Sequence, residues 1–163
     1  YYTLNPINPV LLARRRYRVD WVQEGELSKD KDILRRRWLL IDVDPIRDAM
    51  VSATDDEKAF AFKTINDVRD FLGSQKWPAP IFVDSGNGFH LLYRIELPAD
   101  DGAIVKRILQ NLATRFSTDK AKIDTSVCNP GRICKLPGTW ARKGDHTEER
   151  PHRQAKFLEV PGL

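Results

Sequence analysis

Two aspartates, Asp42 and Asp44, stand one residue apart at the end of an apolar run that stops at Pro45. The run, residues 38–45, predicts a buried strand that ends where proline cannot continue the hydrogen-bond ladder. Because side chains alternate along a strand, both aspartates point to one face and Val43 points to the other. Two carboxylates this close repel each other unless one is protonated or a cation lies between them. The pair therefore indicates either a divalent metal site or a strand end whose aspartates cap the next turn.

A second candidate is the glycine-rich stretch of residues 84–88, which is followed by Phe89 and His90. Its Asn-Gly step predicts a tight turn between two strands. Backbone N–H groups in such a turn can approach phosphate oxygens, and His90 can donate a hydrogen bond to the same anion. The turn alone is equally typical of an ordinary hairpin followed by a strand histidine.

A third candidate begins at Asp124, which follows a short apolar segment and precedes Arg132 and Lys135. Asp124 is either a further metal ligand or, as is commoner, an N-cap or turn residue. An Asn-Pro step predicts a short helix over residues 130–136. Arg132 and Lys135 would then share one helix face, from which both reach a phosphate chain.

The elements around these residues are predicted in the order strand, helix, strand, strand, helix. This order starts with the strand at 38–45 and continues with a helix from the capping box at 54–57 to Gly73, strands at 81–83 and 89–95, and a helix at 101–116. Before it, the sequence predicts a strand at 1–4, a helix at 9–18 and a loop at 23–32. One more strand, at 122–124 or 154–160, would complete a split β-α-β unit. The predicted fold class is therefore α+β, an RNA-recognition-like (ferredoxin-like) sheet with an N-terminal αβ extension.

The chain has 163 residues, enough for one domain over 1–163, and it has no apolar stretch that could cross a membrane. It begins without methionine and without a secretory signal, which predicts a fragment of a longer cytoplasmic protein. Cys128 and Cys134 lack a second cysteine pair for a zinc site and are predicted to be reduced structural thiols.

Basic flanks surround an acidic centre. Residues 1–37 hold nine basic and five acidic side chains, residues 38–129 hold eleven and fourteen, and residues 130–156 hold seven and three. This distribution suits a metal at an acidic core with phosphates held by basic side chains, but solvated helix faces give similar counts. The candidate residues for contact with a nucleic-acid backbone are Arg14, Arg15, Arg16, Arg142, Lys143 and Arg153.

Together, the three motifs resemble those of the archaeo-eukaryotic primase superfamily, most closely the primase-polymerase domains carried by phages and plasmids. The resemblance covers nearly all of residues 38–156 and implies a catalytic core on an RNA-recognition-like sheet. It also implies that Asp42, Asp44 and Asp124 hold two divalent ions, Mg²⁺ or Mn²⁺. By the same resemblance, His90 and Arg132 contact the triphosphate of the incoming nucleotide.

This chain departs from the family pattern at Gly88, where the family often has a serine two residues before the histidine. A hydroxyl contact to the nucleotide would then come from Ser85, or be replaced by backbone N–H at Gly88. Lys135 is predicted to be a further phosphate ligand. The sequence shows no zinc-binding stem, which favours primer extension over de novo initiation.

The resulting hypothesis is a DNA-directed nucleotidyltransferase, a primase or primase-polymerase. Its expected partners are a single-stranded DNA template and ribo- or deoxynucleoside triphosphates, with a replicative helicase as a further candidate. A phosphatase of the haloacid dehalogenase type is an alternative, since that family also places Asp-x-Asp after an apolar strand. It expects threonine or valine where Ile46 stands, however, and leaves the Gly-Phe-His motif unexplained. A non-catalytic module that binds single-stranded nucleic acid through its basic flanks is the other alternative.

Overall fold

The structure is a computed structural model that describes residues 1–16, 18, 21 and 28–162, with Arg14 and Arg15 described by their backbone only. Part of the loop predicted at 23–32 lies outside the described residues, and its end forms a short 3₁₀ helix, Asp30–Asp32. None of the helices in the described part of the chain has the length and apolar composition that a membrane span needs.

The described residues form mixed α and β structure. The strands are β1 (Tyr2–Thr3), β2 (Arg35–Pro45), β3 (Ile81–Asp84), β4 (Phe89–Pro98), β5 (Ala121–Ile123), β6 (Ile133–Cys134), β7 (Trp140–Ala141), β8 (Arg153–Gln154) and β9 (Lys156–Glu159). The α-helices are α1 (Asp55–Ser74) and α2 (Ile104–Phe116). Five strands form one sheet in the order β5-β2-β4-β3-β9, with every neighbouring pair antiparallel. The two candidates for the last strand are therefore both present, as β5 and β9 at opposite edges.

Helix α1 begins and packs as its sequence predicts. The Thr54 hydroxyl accepts from the N–H of Glu57, and the Glu57 carboxylate accepts from the N–H of Thr54, which forms the capping box. Residues 61, 65, 68 and 72, spaced at helical intervals, are buried against the sheet. Helix α2 starts three residues later than predicted, because the Asp101 carboxylate accepts from backbone N–H groups at its start.

The two helices pack on one face of the sheet, and Asp42 and Asp44 lie on the opposite face. The ring of Phe62 in α1 lies 5.2 Å from that of Phe89, so Phe89 points toward the helix. Val43 is directly opposite Phe89 in the β2–β4 ladder and shares its face. Asp42 and Asp44 flank Val43 in β2 and therefore point away from the helices.

The N-terminal segment contributes a strand and a short helix, as predicted, although the helix is of the 3₁₀ type. It spans Pro9–Arg15 and so ends before the predicted bound at residue 18, while residue 17 of the predicted range lies outside the described residues. The Asn8 side chain accepts from the N–H of Val10 at 3.1 Å. Strand β1 pairs with β6, which lies where a helix was predicted.

The predicted helix over residues 130–136 is wrong. A 3₁₀ helix, Thr125–Cys128, precedes this segment, and β6 occupies its centre. Asp30 explains the difference, since its carboxylate accepts from the Asn129 side chain at 3.0 Å and from the Gly131 N–H at 2.9 Å. The asparagine therefore binds a distant loop instead of capping a helix, and β1 supplies a strand partner for the residues that follow.

The ribbon of β7 and β8 packs on the glycine-rich turn. Gly86 has φ of 98°, and a Cβ atom there would lie 2.6 Å from the Cβ of Ala141 and 3.1 Å from the carbonyl oxygen of Arg153. Only glycine allows both the positive φ and this close approach. The turn thereby fixes the position of the ribbon beside the aspartates.

Candidate active site

The β2–β4 register brings the first and second motifs together. Asp42 is directly opposite His90, so their side chains share the sheet face that has no helices. The His90 Nε2 atom lies 3.5 Å from Asp42 Oδ1, and His90 is only 7% exposed. The first two motifs therefore meet on one face of the sheet.

Gly88 allows the hairpin to approach the aspartate strand. A Cβ atom at this position would lie 2.3 Å from the carbonyl oxygen of Val43 and 2.7 Å from Asp44 Oδ1. Any side chain, serine included, would push β4 away from β2 here. The glycine at this position thus has a steric reason.

Asp124 joins the same site through its backbone. Its N–H donates to the carbonyl oxygen of Asp42 at 2.9 Å, while its Oδ1 accepts from the N–H of Ser126 at 2.8 Å. Its Oδ2 lies 3.5 Å from the guanidinium of Arg132. Asp124 is therefore an N-cap, as the commoner interpretation holds, and it also lies beside the aspartate pair.

These residues line one open cavity of about 550 Å³. An acidic side, a basic rim and two neutral donors meet in it, so charges of both signs face the same space. The polar residues lining it are Asp42, Asp44, Ser85, Asn87, His90, Asp124, Arg132, Lys135, Arg142 and Lys143. Three chain segments that the sequence analysis identified separately thus form one surface.

The glycine-rich turn satisfies most of its own backbone donors. The N–H of Gly86 donates to Asp84, the N–H of Gly88 donates to the Ser85 hydroxyl, and the N–H of Ser85 donates to the carbonyl oxygen of Gly88. The Ser85 oxygen accepts one bond and keeps its own O–H as a donor. The turn therefore offers a ligand the O–H of Ser85, whereas the N–H of Gly88 is already used within the turn.

Asp42 is electrostatically strained in this cavity. Burial is the main cause that raises the pKa of its carboxyl to about 6, and nearby Asp44 and Asp124 raise it further, whereas His90 and Arg132 act to lower it. The Asp42 carboxylate is thus poorly solvated and is repelled by the two neighbouring carboxylates. Binding of a cation beside it would relieve both effects.

The three carboxylates supply the oxygen donors that Mg²⁺ and Mn²⁺ prefer, so the donor set fits either ion. Each of these carboxylates, however, lies beside a different basic side chain. Asp42 is next to His90, Asp124 is next to Arg132, and Asp44 is 3.7 Å from Nη1 of Arg47. In the part of the chain that is described, no group of three or more His, Cys, Asp or Glu side chains is arranged to hold a metal ion.

The C-terminal basic tract divides into two groups. Arg142 and Lys143 line the cavity. Arg150 and Arg153 instead bind the start of α1, where they fasten the segment after β7 to the protein. The contacts are those of Arg150 with Glu57 at 2.9 Å and of Arg153 with the carbonyl oxygen of Ala53 at 2.6 Å and with Asp55. Arg153, a candidate DNA ligand, therefore has its guanidinium engaged within the fold.

The N-terminal arginines are less informative. Arg16 is exposed and ends the 3₁₀ helix with φ of 49°. The side chains of Arg14 and Arg15 lie outside the described residues.

Both cysteines are free thiols, and burial raises the pKa of Cys134 to about 12, which agrees with a structural thiol.

Three residues of the site were missed in the sequence. Arg47 contacts Asp44, and Asn87 accepts from the N–H of Ala53 at 2.9 Å and so ties the turn to the segment before α1. Trp140 lines the cavity although its side chain is largely exposed. An aromatic residue two positions before a basic pair is a signal that could have identified it.

Comparisons of the chain with protein-family models, with curated proteins and with solved structures found no match. A functional assignment therefore depends on the motifs and on their geometry.

Proposed function

We propose that the chain is a template-dependent nucleotidyltransferase, a DNA primase-polymerase that makes or extends primers on single-stranded DNA. One observation carries the proposal. The three motifs that resemble the primase superfamily are far apart in sequence, yet Asp42, His90, Asp124 and Arg132 line the same cavity. A functional site requires such convergence of separate motifs in one cavity.

The strand order supports the finer fold assignment, an RNA-recognition-like (ferredoxin-like) sheet. Both β2 and β3 run antiparallel to β4, which lies between them, and α1 connects them. In the same way, β4 and β5 flank β2 and are connected by α2. Two such split β-α-β units are what this fold requires. Strand β9 and the two small ribbons would be additions to it.

Asp42, Asp44 and Asp124 are the proposed metal ligands. The pair of ions would supply activation of the primer 3′-hydroxyl and neutralisation of the leaving pyrophosphate. Each aspartate would exchange its present basic partner for a cation, which releases Arg132 and His90 to the substrate. Burial, followed by repulsion from Asp44 and Asp124, raises the pKa of Asp42 and favours this exchange.

His90 and Arg132 are the proposed triphosphate ligands, and Ser85 is the proposed hydroxyl donor. His90 lies beside Asp42 and Arg132 beside Asp124, so both donors border the acidic side of the cavity. Their hydrogen bonds would neutralise charge that grows on the phosphates as the bond to the leaving group breaks. Arg142 and Lys143 at the rim would hold the template backbone, so template binding should weaken as the salt concentration rises.

The test is synthesis by the purified protein on primed and unprimed single-stranded DNA, with ribo- or deoxynucleoside triphosphates and Mg²⁺ or Mn²⁺. We expect labelled product that requires the template and disappears in the double variant Asp42→Ala, Asp44→Ala. The control is Asp119→Ala, because the Asp119 side chain is 84% exposed and pairs only with its neighbour Lys120 at 3.9 Å among the described contacts.

Absence of product under all these conditions would refute the enzymatic proposal. Product that persists in the double variant would show that the assigned aspartates are not the metal ligands. Template-independent release of phosphate from a small phosphoester would favour the phosphatase alternative. Tight binding of single-stranded DNA without a thermal shift on adding Mn²⁺ and nucleotide would favour the non-catalytic module.

A further inference from the structure

Trp140 presents an exposed indole at the cavity that holds the candidate phosphate ligands. Trp140 is 52% exposed, so a ligand in the cavity can reach its ring. It lines the same space as His90 and Arg132. The cavity therefore has a charged region and an aromatic region.

The Trp140 backbone is held firmly in place. Strand β7 pairs with β8, with Trp140 opposite Gln154, and the next residue, Ala141, packs against Gly86. The Lys135 ammonium donates to the carbonyl oxygen of Trp140 at 2.7 Å. An aromatic ring on a fixed backbone loses little conformational freedom when a ligand stacks on it.

We propose that Trp140 stacks on the nucleobase of the incoming nucleotide, and that Lys135 is a positioning residue that holds Trp140. This inference rests on the proposed function. A ligand that contacts both Arg132 and Trp140 would carry an anionic group at one end and a flat ring at the other, as a nucleoside triphosphate does. Stacking accepts every base because each has a π-face, and this suits an enzyme whose template selects the base.

The test separates base binding from phosphate binding. Isothermal titration calorimetry in Mn²⁺ without template measures the affinity for a nucleoside triphosphate and for inorganic tripolyphosphate. The variants are Trp140→Ala, Trp140→Phe and Lys135→Ala. Phe157→Ala is the matched control, because Phe157 is a 53% exposed aromatic residue on β9 and does not line the cavity.

Removal of a stacking ring is expected to weaken nucleotide binding by about 5- to 150-fold in Trp140→Ala and to leave tripolyphosphate binding unchanged. Trp140→Phe should recover most of the affinity, and Phe157→Ala should match the wild type. Lys135→Ala should lose nucleotide affinity selectively, whereas a phosphate ligand at this position would lose both affinities.

Unchanged nucleotide affinity in Trp140→Ala, or an equal loss for both ligands, would overturn the inference. If the wild type still synthesises product in either case, the proposed function stands. A wild type that binds neither ligand and makes no product would refute the proposed function and the inference together.

Discussion

Replacement of Gly88 by alanine should separate β4 from β2 at the site. The added Cβ would lie 2.3 Å from the carbonyl oxygen of Val43, whereas ordinary contact begins at 3.4 Å. The strands must therefore move apart by about 1 Å, which would stretch a ladder hydrogen bond of about 2.9 Å to roughly 4 Å and break it. Overpacking of this kind and one lost hydrogen bond together cost about 2–4 kcal/mol.

A loss of this size should lower Tm by roughly 5–15 °C for a chain of this length, as measured by circular dichroism. The matched control is Gly73→Ala in α1, where an added Cβ meets no atom within 4 Å. Alanine is the better helix former, so this variant should gain about 0.5–1 kcal/mol. Gly88→Ala should also lose Mn²⁺ binding, because Asp44 lies against the same glycine. A Gly88→Ala protein with the Tm of the wild type would refute the close approach of hairpin and strand on which the site depends.

Three further predictions concern charge and burial. Asp42→Asn should stabilise the metal-free protein at pH 8 by about 3 kcal/mol, since a raised native pKa makes the ionised carboxyl destabilising above it. Urea unfolding should show this gain disappearing below the ordinary pKa of 3.8, and a variant less stable than the wild type at pH 8 would contradict it. Glu57→Gln should destabilise the protein at pH 7, because the hydrogen bond from Arg150 lowers the pKa of Glu57. In thermal unfolding, the difference should shrink as the pH falls below the ordinary value of 4.5, and a constant difference down to pH 3 would argue against the ion pair. Alkylation of the native protein at pH 8, followed by mass spectrometry, should modify Cys128 first, since Cys134 is buried and its pKa is raised to about 12; equal rates would contradict this burial.

Elements with strong local signals were predictable from the sequence. The capping box at Thr54 and Glu57 and the spacing of the buried residues after it predicted α1, and both are present. The strand with Asp42 and Asp44 ends at Pro45 as expected. In these elements the residues that determine the local structure are neighbours in the sequence, so the local sequence pattern is enough to predict the element.

Long-range contacts decide the remaining parts, and no local pattern contains them. Asn129 has the features of a helix N-cap, yet it binds Asp30 from a distant loop. Arg153 belongs to a basic tract, yet Asp55 at the start of α1 engages it. A short segment with weak intrinsic preference adopts the conformation that its tertiary partners favour.

The contrast between Asp42 and the well-paired buried charges is the strongest physical argument for chemistry at this site. Arg36 pairs with Asp101 at 3.4 Å, and Asp84 pairs with Lys58 at 2.6 Å, so these charges are compensated by an opposite charge. Burial is the main cause that raises the pKa of Asp42, and two further carboxylates raise it more, while His90 at 3.5 Å and Arg132 offset only part of this. An asparagine of the same shape would avoid this cost. A carboxylate in such a position is understandable if its negative charge is used, and a bound cation is the use that the neighbouring carboxylates favour.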